Sequence, residues 1–292
     1  MKKLLVTGAS GFLGRYVCQL AQPEWEVYGT YAAHAIAIDN VILLKVDLTD
    51  YRALKQLFAD LQPSAVIHTA AQSKPNFCQD YPDESYPINV TASLNLAGQA
   101  SDRAISCVFT STDLVFNGLN PPYRENDLVS PISVYGEQKV LAEQGMLERY
   151  PKTAICRMPL MFGIAFPPAS SFMQPFLKTL REGKELSLFT DEIRTPVSGS
   201  TAASGLLLAL EKNVAGLLHL GGKESISRYQ FGLLMAEIWQ FPQKNIKNCL
   251  QKDVTMSAPR SPNVSLDSSK AFALGYQPRS LREELETLKD EI

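Results

Sequence analysis

The feature that most constrains the fold lies in the first fourteen residues, where the apolar run Lys3–Val6 meets Thr7-Gly8-Ala9-Ser10-Gly11-Phe12-Leu13-Gly14. A helical pattern follows from Phe12 to Ala21, and a second apolar strand from Trp25 to Tyr31. This is a βαβ unit with glycines at its first turn. The first glycine permits a tight turn, the second lets the backbone approach a pyrophosphate, and the third allows helix and strand to pack closely. The helix N-terminus adds free N–H groups and partial positive charge. The spacing, Gly-x-x-Gly-x-x-Gly, is one residue wider than the usual dinucleotide fingerprint. Gly8, Ser10, Gly11, Phe12, Leu13 and Gly14 are the expected cofactor cradle.

A carboxylate about 20 residues further on would accept ribose hydroxyls and select NAD. The second strand instead ends Tyr28-Gly29-Thr30-Tyr31, without one. Nothing there repels a 2′-phosphate, so NADP is preferred over NAD, with Arg15 or His34 near that phosphate. The alternative is that Arg15 is a solvated residue of the first helix and His34 plain surface.

The strand–helix rhythm continues. Leu43–Val46, Ala65–Thr69, Ile105–Thr110 and Thr153–Arg157 read as short buried strands, with helical patterns at Tyr51–Leu61, Pro87–Ala100 and Ser133–Tyr150. Such alternation predicts an α/β fold with a doubly wound parallel sheet. After about Phe162 the pattern changes: Pro167-Pro168, a helix at Ser171–Glu182, and amphipathic stretches at Ser227–Trp239 and Ser280–Glu291. Ser200–Glu211 and then Gly216–Gly221 again read as helix and strand. The expected domains are therefore 1–165 with 195–222 for the dinucleotide, and 166–194 with 223–292 as a substrate lobe.

Composition narrows the partners. A net charge of -2 and a pI near 6.0 provide no basic excess for nucleic acid or anionic lipid. No apolar stretch reaches the roughly 18 to 20 residues of a membrane span. The N-terminal apolar run stops at Thr7, too short for a signal segment. Five scattered cysteines without a paired spacing suit a reducing compartment, so a cytoplasmic location and a small-molecule substrate are expected. No His/Cys/carboxylate grouping has metal-ligand spacing.

Chemistry enters with Tyr135-Gly136-Glu137-Gln138-Lys139 near the start of a helical pattern. Tyr135 and Lys139, four apart, share one helix face. A phenol with an unperturbed pKa of about 10 is a poor catalyst at neutral pH, and an adjacent ammonium is expected to lower it. Tyr135 could then protonate a carbonyl oxygen as hydride arrives at its carbon, or run the reverse. Upstream, a strand ends in Ser111-Thr112-Asp113 at the carboxyl edge of the sheet, where Thr112 would steady the reacting oxygen.

In this combination the chain resembles the extended short-chain dehydrogenase/reductases, and within them the dTDP-4-dehydrorhamnose reductase-like branch. The resemblance spans most of the chain, through Thr7–Gly14, Asp47-Leu48-Thr49-Asp50, His68-Thr69-Ala70-Ala71, Ile88-Asn89-Val90, Ser111–Gly118 and Tyr135–Lys139. The run Ser-Thr-Asp-x-Val-Phe-x-Gly is its most specific part. The resemblance implies a Rossmann domain and a catalytic set of Thr112, Tyr135 and Lys139, with Lys139 also holding the nicotinamide ribose. It places Asp47 and Leu48 beside the adenine, and Ala70, Ala71 and Asn89 along the cofactor path. His68, ending a buried strand, reads as a core histidine. Dehydratase relatives carry Asp-Glu after the threonine; here the pair is Asp113-Leu114, and leucine cannot transfer a proton. Carbonyl reduction of a sugar or nucleotide-linked sugar is therefore expected, with sugar epimerisation and a non-catalytic NADP-binding regulatory subunit as open alternatives. On the substrate side the resemblance points to Arg194, which either contacts an anionic substrate or pairs with Asp191 or Glu192, and to Arg260, whose guanidinium suits phosphate. It also implies a homodimer contact through the Tyr135 helix, on which the apolar content is silent.

Overall fold

Each predicted element of the first half forms where its apolar residues can be buried. The computed structural model describes residues 1–34 and 36–291. The chain runs through Lys2–Thr7 (β1), Phe12–Ala21 (α1), Trp25–Tyr31 (β2), Val41–Lys45 (β3), Tyr51–Leu61 (α2) and Ala65–His68 (β4). Two short helices, Pro75–Asp80 (α3) and Pro82–Tyr86 (α4), lead through a π-helical turn at Pro87–Thr91 into Ala92–Asp102 (α5). Ser106–Thr112 (β5), Val134–Arg149 (α6) and Ala154–Met158 (β6) complete this half. The second half comprises Met161–Phe162 (β7), Met173–Arg181 (α7), Leu186–Phe189 (β8), Ile193–Arg194 (β9), Val197–Ser198 (β10), Gly199–Glu211 (α8) and Gly216–His219 (β11). It closes with Ile226–Ser227 (β12), Arg228–Ile238 (α9), Ile246–Cys249 (β13), Ser269–Ala273 (α10) and Leu281–Glu291 (α11).

Seven parallel strands form one sheet in the order β11-β6-β5-β4-β1-β2-β3. Helices cover both faces. Leu13 and Val17 of α1 pack with Ala202 and Leu206 of α8 on one side. On the other, Leu54 and Phe58 of α2 pack with Leu96 of α5 and Met146 of α6. This is the doubly wound arrangement expected, and the order reverses between β1 and β4, which opens a crevice at their carboxyl ends.

The expected helix at Pro87–Ala100 begins instead as a π turn. Pro87 has no N–H to extend the preceding ladder, and the Ala92 N–H reaches the Pro87 carbonyl five residues back. Three strand pairs escaped sequence reading because their members are two to four residues long: β7 with β10, β9 with β12, and β8 with β13. Phe162, Leu177, Leu188, Phe231, Met235 and Leu285 form a core of their own beside the sheet. The division is less sharp at the C-terminus than the sequence suggested, because Ala271 and Tyr276 pack into the core beneath the sheet. Among the described residues, no helix is long and apolar enough to cross a membrane.

Glu284 on α11 ties the C-terminal helix to the sheet domain. Its carboxylate accepts a 2.7 Å bond from the Ser198 N–H and another from the Thr201 hydroxyl, at the start of α8. Glu284 is 5% exposed, so its removal strands two buried donors. Glu284→Ala should lower unfolding free energy in urea by about 1–3 kcal/mol, and Glu284→Gln, which keeps an acceptor, by clearly less.

Candidate functional site

The crevice is shaped first by backbone. Gly8 has φ of 74°, the left-handed region, and a Cβ there would meet the Ala70 backbone at 2.8 Å. A Cβ on Gly14 would lie 2.2 Å from the Gly8 carbonyl oxygen, so helix α1 and the turn touch backbone to backbone. Gly11 differs: its Cβ would meet only the Gly8 oxygen, at 3.1 Å. Helix α1 starts with no side-chain cap and no acidic residue in its first turn. An uncapped helix end beside a bare glycine is a cradle for an anion, and these residues fit a dinucleotide pyrophosphate. Arg15 lies next to it. Its Nη1 donates to the Ala37 carbonyl at 3.2 Å, the guanidinium sits 4.4 Å from the centre of the Phe166 ring, and its buried Nε has no hydrogen-bond partner among the described residues. Asp47 is exposed and accepts from Thr49 N–H and hydroxyl, which hold its carboxyl below the usual range; Leu48 beside it is buried.

His68 closes the back of the crevice. The Ser93 hydroxyl donates to the Asn89 carbonyl at 2.8 Å, so the 3.0 Å contact to His68 Nε2 makes that nitrogen the donor. Nδ1 then accepts from the Thr7 hydroxyl at 2.6 Å. Burial, followed by the charge of Lys139, pulls the His68 pKa down to about 3. It is a satisfied core histidine, as its place at a strand end suggested. Ala70 and Ala71 follow at the mouth of the crevice, both partly exposed. Asn89 does not line it through its side chain. The residue is fully buried, its Oδ1 accepting from the Gln72 N–H at 2.8 Å and its Nδ2 donating to Gln138 Oε1 at 2.7 Å. It holds the loop behind Ala71 to helix α6, a position that only the π turn supplies.

On α6, Tyr135 and Lys139 face strand β5. The Lys139 ammonium donates to the Thr110 carbonyl at 2.8 Å and lies 4.5 Å from the centre of the Phe109 ring. Burial pulls its pKa down to about 8, against upward pushes from Glu143 and Cys78. The phenol of Tyr135 behaves opposite to expectation. Burial pushes its pKa up, Cys78 and Asp113 add to the rise, and only the Thr112 hydroxyl opposes it. Lys139 is not among the groups that move the phenol, whose rise comes first from burial. Thr112 accepts from the Leu114 N–H and donates to Asp113 Oδ1, both at 3.2 Å. Asp113 is itself buried, which raises its pKa to about 6 although Arg194 works against the rise.

Arg194 is where the sequence left two readings, and the structure favours pairing. The residue is 4% exposed. Its Nη1 donates to the Ile193 carbonyl at 2.7 Å and its Nη2 to the Ser261 carbonyl at 3.0 Å, while Nε stands 3.6 Å from Asp113 and Nη2 3.6 Å from Glu192. Both terminal nitrogens are thus turned to backbone carbonyls, and two carboxylates flank the guanidinium. Arg260 is freer: Nη2 donates to Asn76 at 2.9 Å, but buried Nη1 has no hydrogen-bond partner among the described residues. Arg228, the first residue of α9, was not anticipated. Its Nε donates to Glu192 at 3.1 Å, and its buried Nη1 is likewise unpaired. The only sequence signal was an arginine directly after the Ser227 cap.

Comparisons with known proteins bear on the family and the fold. The family model described as RmlD substrate binding domain matches residues 1–292. The Rattus norvegicus protein "Methionine adenosyltransferase 2 subunit beta" is 30% identical over 286 residues, covering 96% of this chain and 84% of the relative. The Haloferax volcanii protein "Probable low-salt glycan biosynthesis reductase Agl14" is 29% identical, covering 97% of this chain and 96% of the relative. Among solved structures, dTDP-4-dehydrorhamnose reductase from Bacillus anthracis in complex with NADP superposes with a TM-score of 0.89 at 23% identity, covering 100% of each chain.

The depressed His68 pKa has a measurable consequence. A histidine that binds its proton near 6.5 when unfolded and near 3 when folded leaves stability complete above pH 6.5 and progressively lost as pH falls towards 3. His219, pulled down to about 3 first by burial and then by Arg157, acts in the same direction. Urea unfolding should show lower stability at pH 4.5 than at pH 7, and side-chain NMR should find His68 neutral at both.

Proposed function

This chain belongs to the RmlD substrate binding domain family, and from that membership we propose that it is a cytoplasmic NAD(P)H-dependent ketoreductase acting on a sugar or nucleotide-linked sugar. The observation that carries the reading is a protonated, buried phenol, Tyr135, beside the Thr112 hydroxyl and one helical turn from a buried Lys139 amine. Gly8 to Gly14, with Arg15, hold the dinucleotide; Asp47 and Leu48 flank its adenine end, and Ala70 and Ala71 its path. When bound, that cofactor supplies hydride. Tyr135 supplies the proton to the carbonyl oxygen, Thr112 fixes that oxygen, and Lys139 orients the ribose.

NADP is the preferred cofactor. The support is the strand end Tyr28–Tyr31 without a carboxylate and the unpaired Nε of Arg15. The substrate is anionic, as supported by the unpaired guanidinium N–H groups of Arg260 and Arg228, both in the field of Glu192. A pyrophosphate-linked sugar meets that demand through charge-assisted bonds. The lobe carrying these arginines is where we assign substrate binding.

A second reading rests on the 30% identity to "Methionine adenosyltransferase 2 subunit beta": a cofactor-binding subunit that acts on a partner. One experiment separates the two. In NADPH oxidation against a panel of nucleotide-linked keto-sugars, Tyr135→Phe should lower kcat by about a hundredfold or more while NADPH still binds. Absence of turnover in the unaltered protein, with NADPH bound, would leave the subunit reading. Turnover should also fall as pH rises through about 8, where Lys139 loses its proton. Arg228→Met is expected to raise KM for an anionic substrate at least tenfold with kcat little changed.

A further inference from the structure

The reaction outlined above leaves a buried ion pair unused. Glu143 lies one turn beyond Lys139 on α6 and is 3% exposed; Arg157, on β6, is 2% exposed. The Arg157 guanidinium grips the carboxylate with two bonds, Nε to Oε1 at 3.0 Å and Nη2 to Oε2 at 2.8 Å. The Ser111 hydroxyl donates a third, at 2.5 Å to Oε1. Ser111 follows Thr110, whose carbonyl accepts the Lys139 ammonium, so strand β5 fastens Lys139 and Glu143 through neighbouring residues. Two of the carboxylate's bonds come from a planar guanidinium fork and one from a rigid strand, which leaves it little freedom to turn.

We infer that Glu143, fixed in place by Arg157 and Ser111, is a positioning residue for Lys139: its carboxylate keeps the amine charged inside a site too dry to do so alone. The groups facing that amine make the case. From β4 comes His68, neutral; from β5, the Thr110 carbonyl and the Phe109 ring; from α3, Cys78; from α6 itself, Tyr135 and Glu143. Glu143 is the carboxylate that raises the proton affinity of Lys139, and burial is the force it opposes. An apolar cavity of this kind strips charge from lysine unless an anion is held nearby. Arg157 serves a second purpose: its two bonds satisfy both carboxylate oxygens in the same dry interior.

The inference rests on Lys139 having a function but its test does not depend on turnover. In the full-length protein labelled with 15N-lysine, the Lys139 Nζ signal is identified by its loss in Lys139→Met and followed against pH. The unaltered protein should titrate near 8. Glu143→Gln should move the midpoint down by about one unit or more, and Glu143→Asp, which keeps the charge, should restore most of the shift. Because Glu143→Gln leaves Arg157 unpaired, a Glu143→Gln, Arg157→Met double variant is compared with Arg157→Met alone, and loss of the carboxylate should lower the midpoint within that pair as well. A folded variant lacking the Glu143 carboxylate that titrates at the midpoint of its Glu143-bearing parent overturns the inference. If the Nζ midpoint moves but the unaltered protein binds NADPH without turnover, the oxidoreductase reading fails and this one stands. With activity established, the alkaline limb of kcat should move with the Nζ midpoint, a change that a purely structural ion pair would not cause.

Discussion

The crevice depends on one close backbone crossing, that of β1 and its turn past the chain leaving β4. Gly8 runs so close to Ala70 that a Cβ would meet backbone at 2.8 Å, and Gly14 so close to Gly8 that no side chain fits between them. This approach occurs where the sheet order reverses, so the glycines define both the packing of α1 and the mouth of the crevice. Thr7 then reaches His68, His68 reaches Ser93, and Ser93 reaches the Asn89 carbonyl. Through Asn89 and Gln138 the same network fixes α6, the helix that carries Tyr135 and Lys139.

Much of this was legible in the sequence because it depends on local periodicity. The ranges Phe12–Ala21, Trp25–Tyr31 and Tyr51–Leu61 read directly from apolar spacing, and the parallel sheet followed from their alternation. What could not be read depends on contacts between distant residues. Arg194 meets Asp113 across the fold, and Arg260 meets Asn76 over a separation of 184 residues. Nothing near Arg194 in the chain announces that carbonyls of 193 and 261 will take its donors. The direction of the Tyr135 shift failed for the same reason. Helix spacing correctly put phenol and ammonium on one face, but the burial that raises the phenol comes from elements packed against that face, which local periodicity does not show.

Two ionisable groups with opposite needs share this site, and the placement of two carboxylates reconciles them. In the proposed reaction a proton donor must be uncharged before it acts, whereas a lysine that orients a ribose is most useful charged. Burial alone favours the neutral form of both, which serves Tyr135 and works against Lys139. Asp113 stands in the field of the phenol and strengthens its hold on the proton; Glu143 stands in the field of the amine and does the same. Negative charge near either group therefore loads it with a proton. Asp113, buried and raised to about 6, gives up part of its own charge in acid. Burial and Asp113 together favour the protonated phenol, whereas burial and Glu143 pull on the amine in opposite directions.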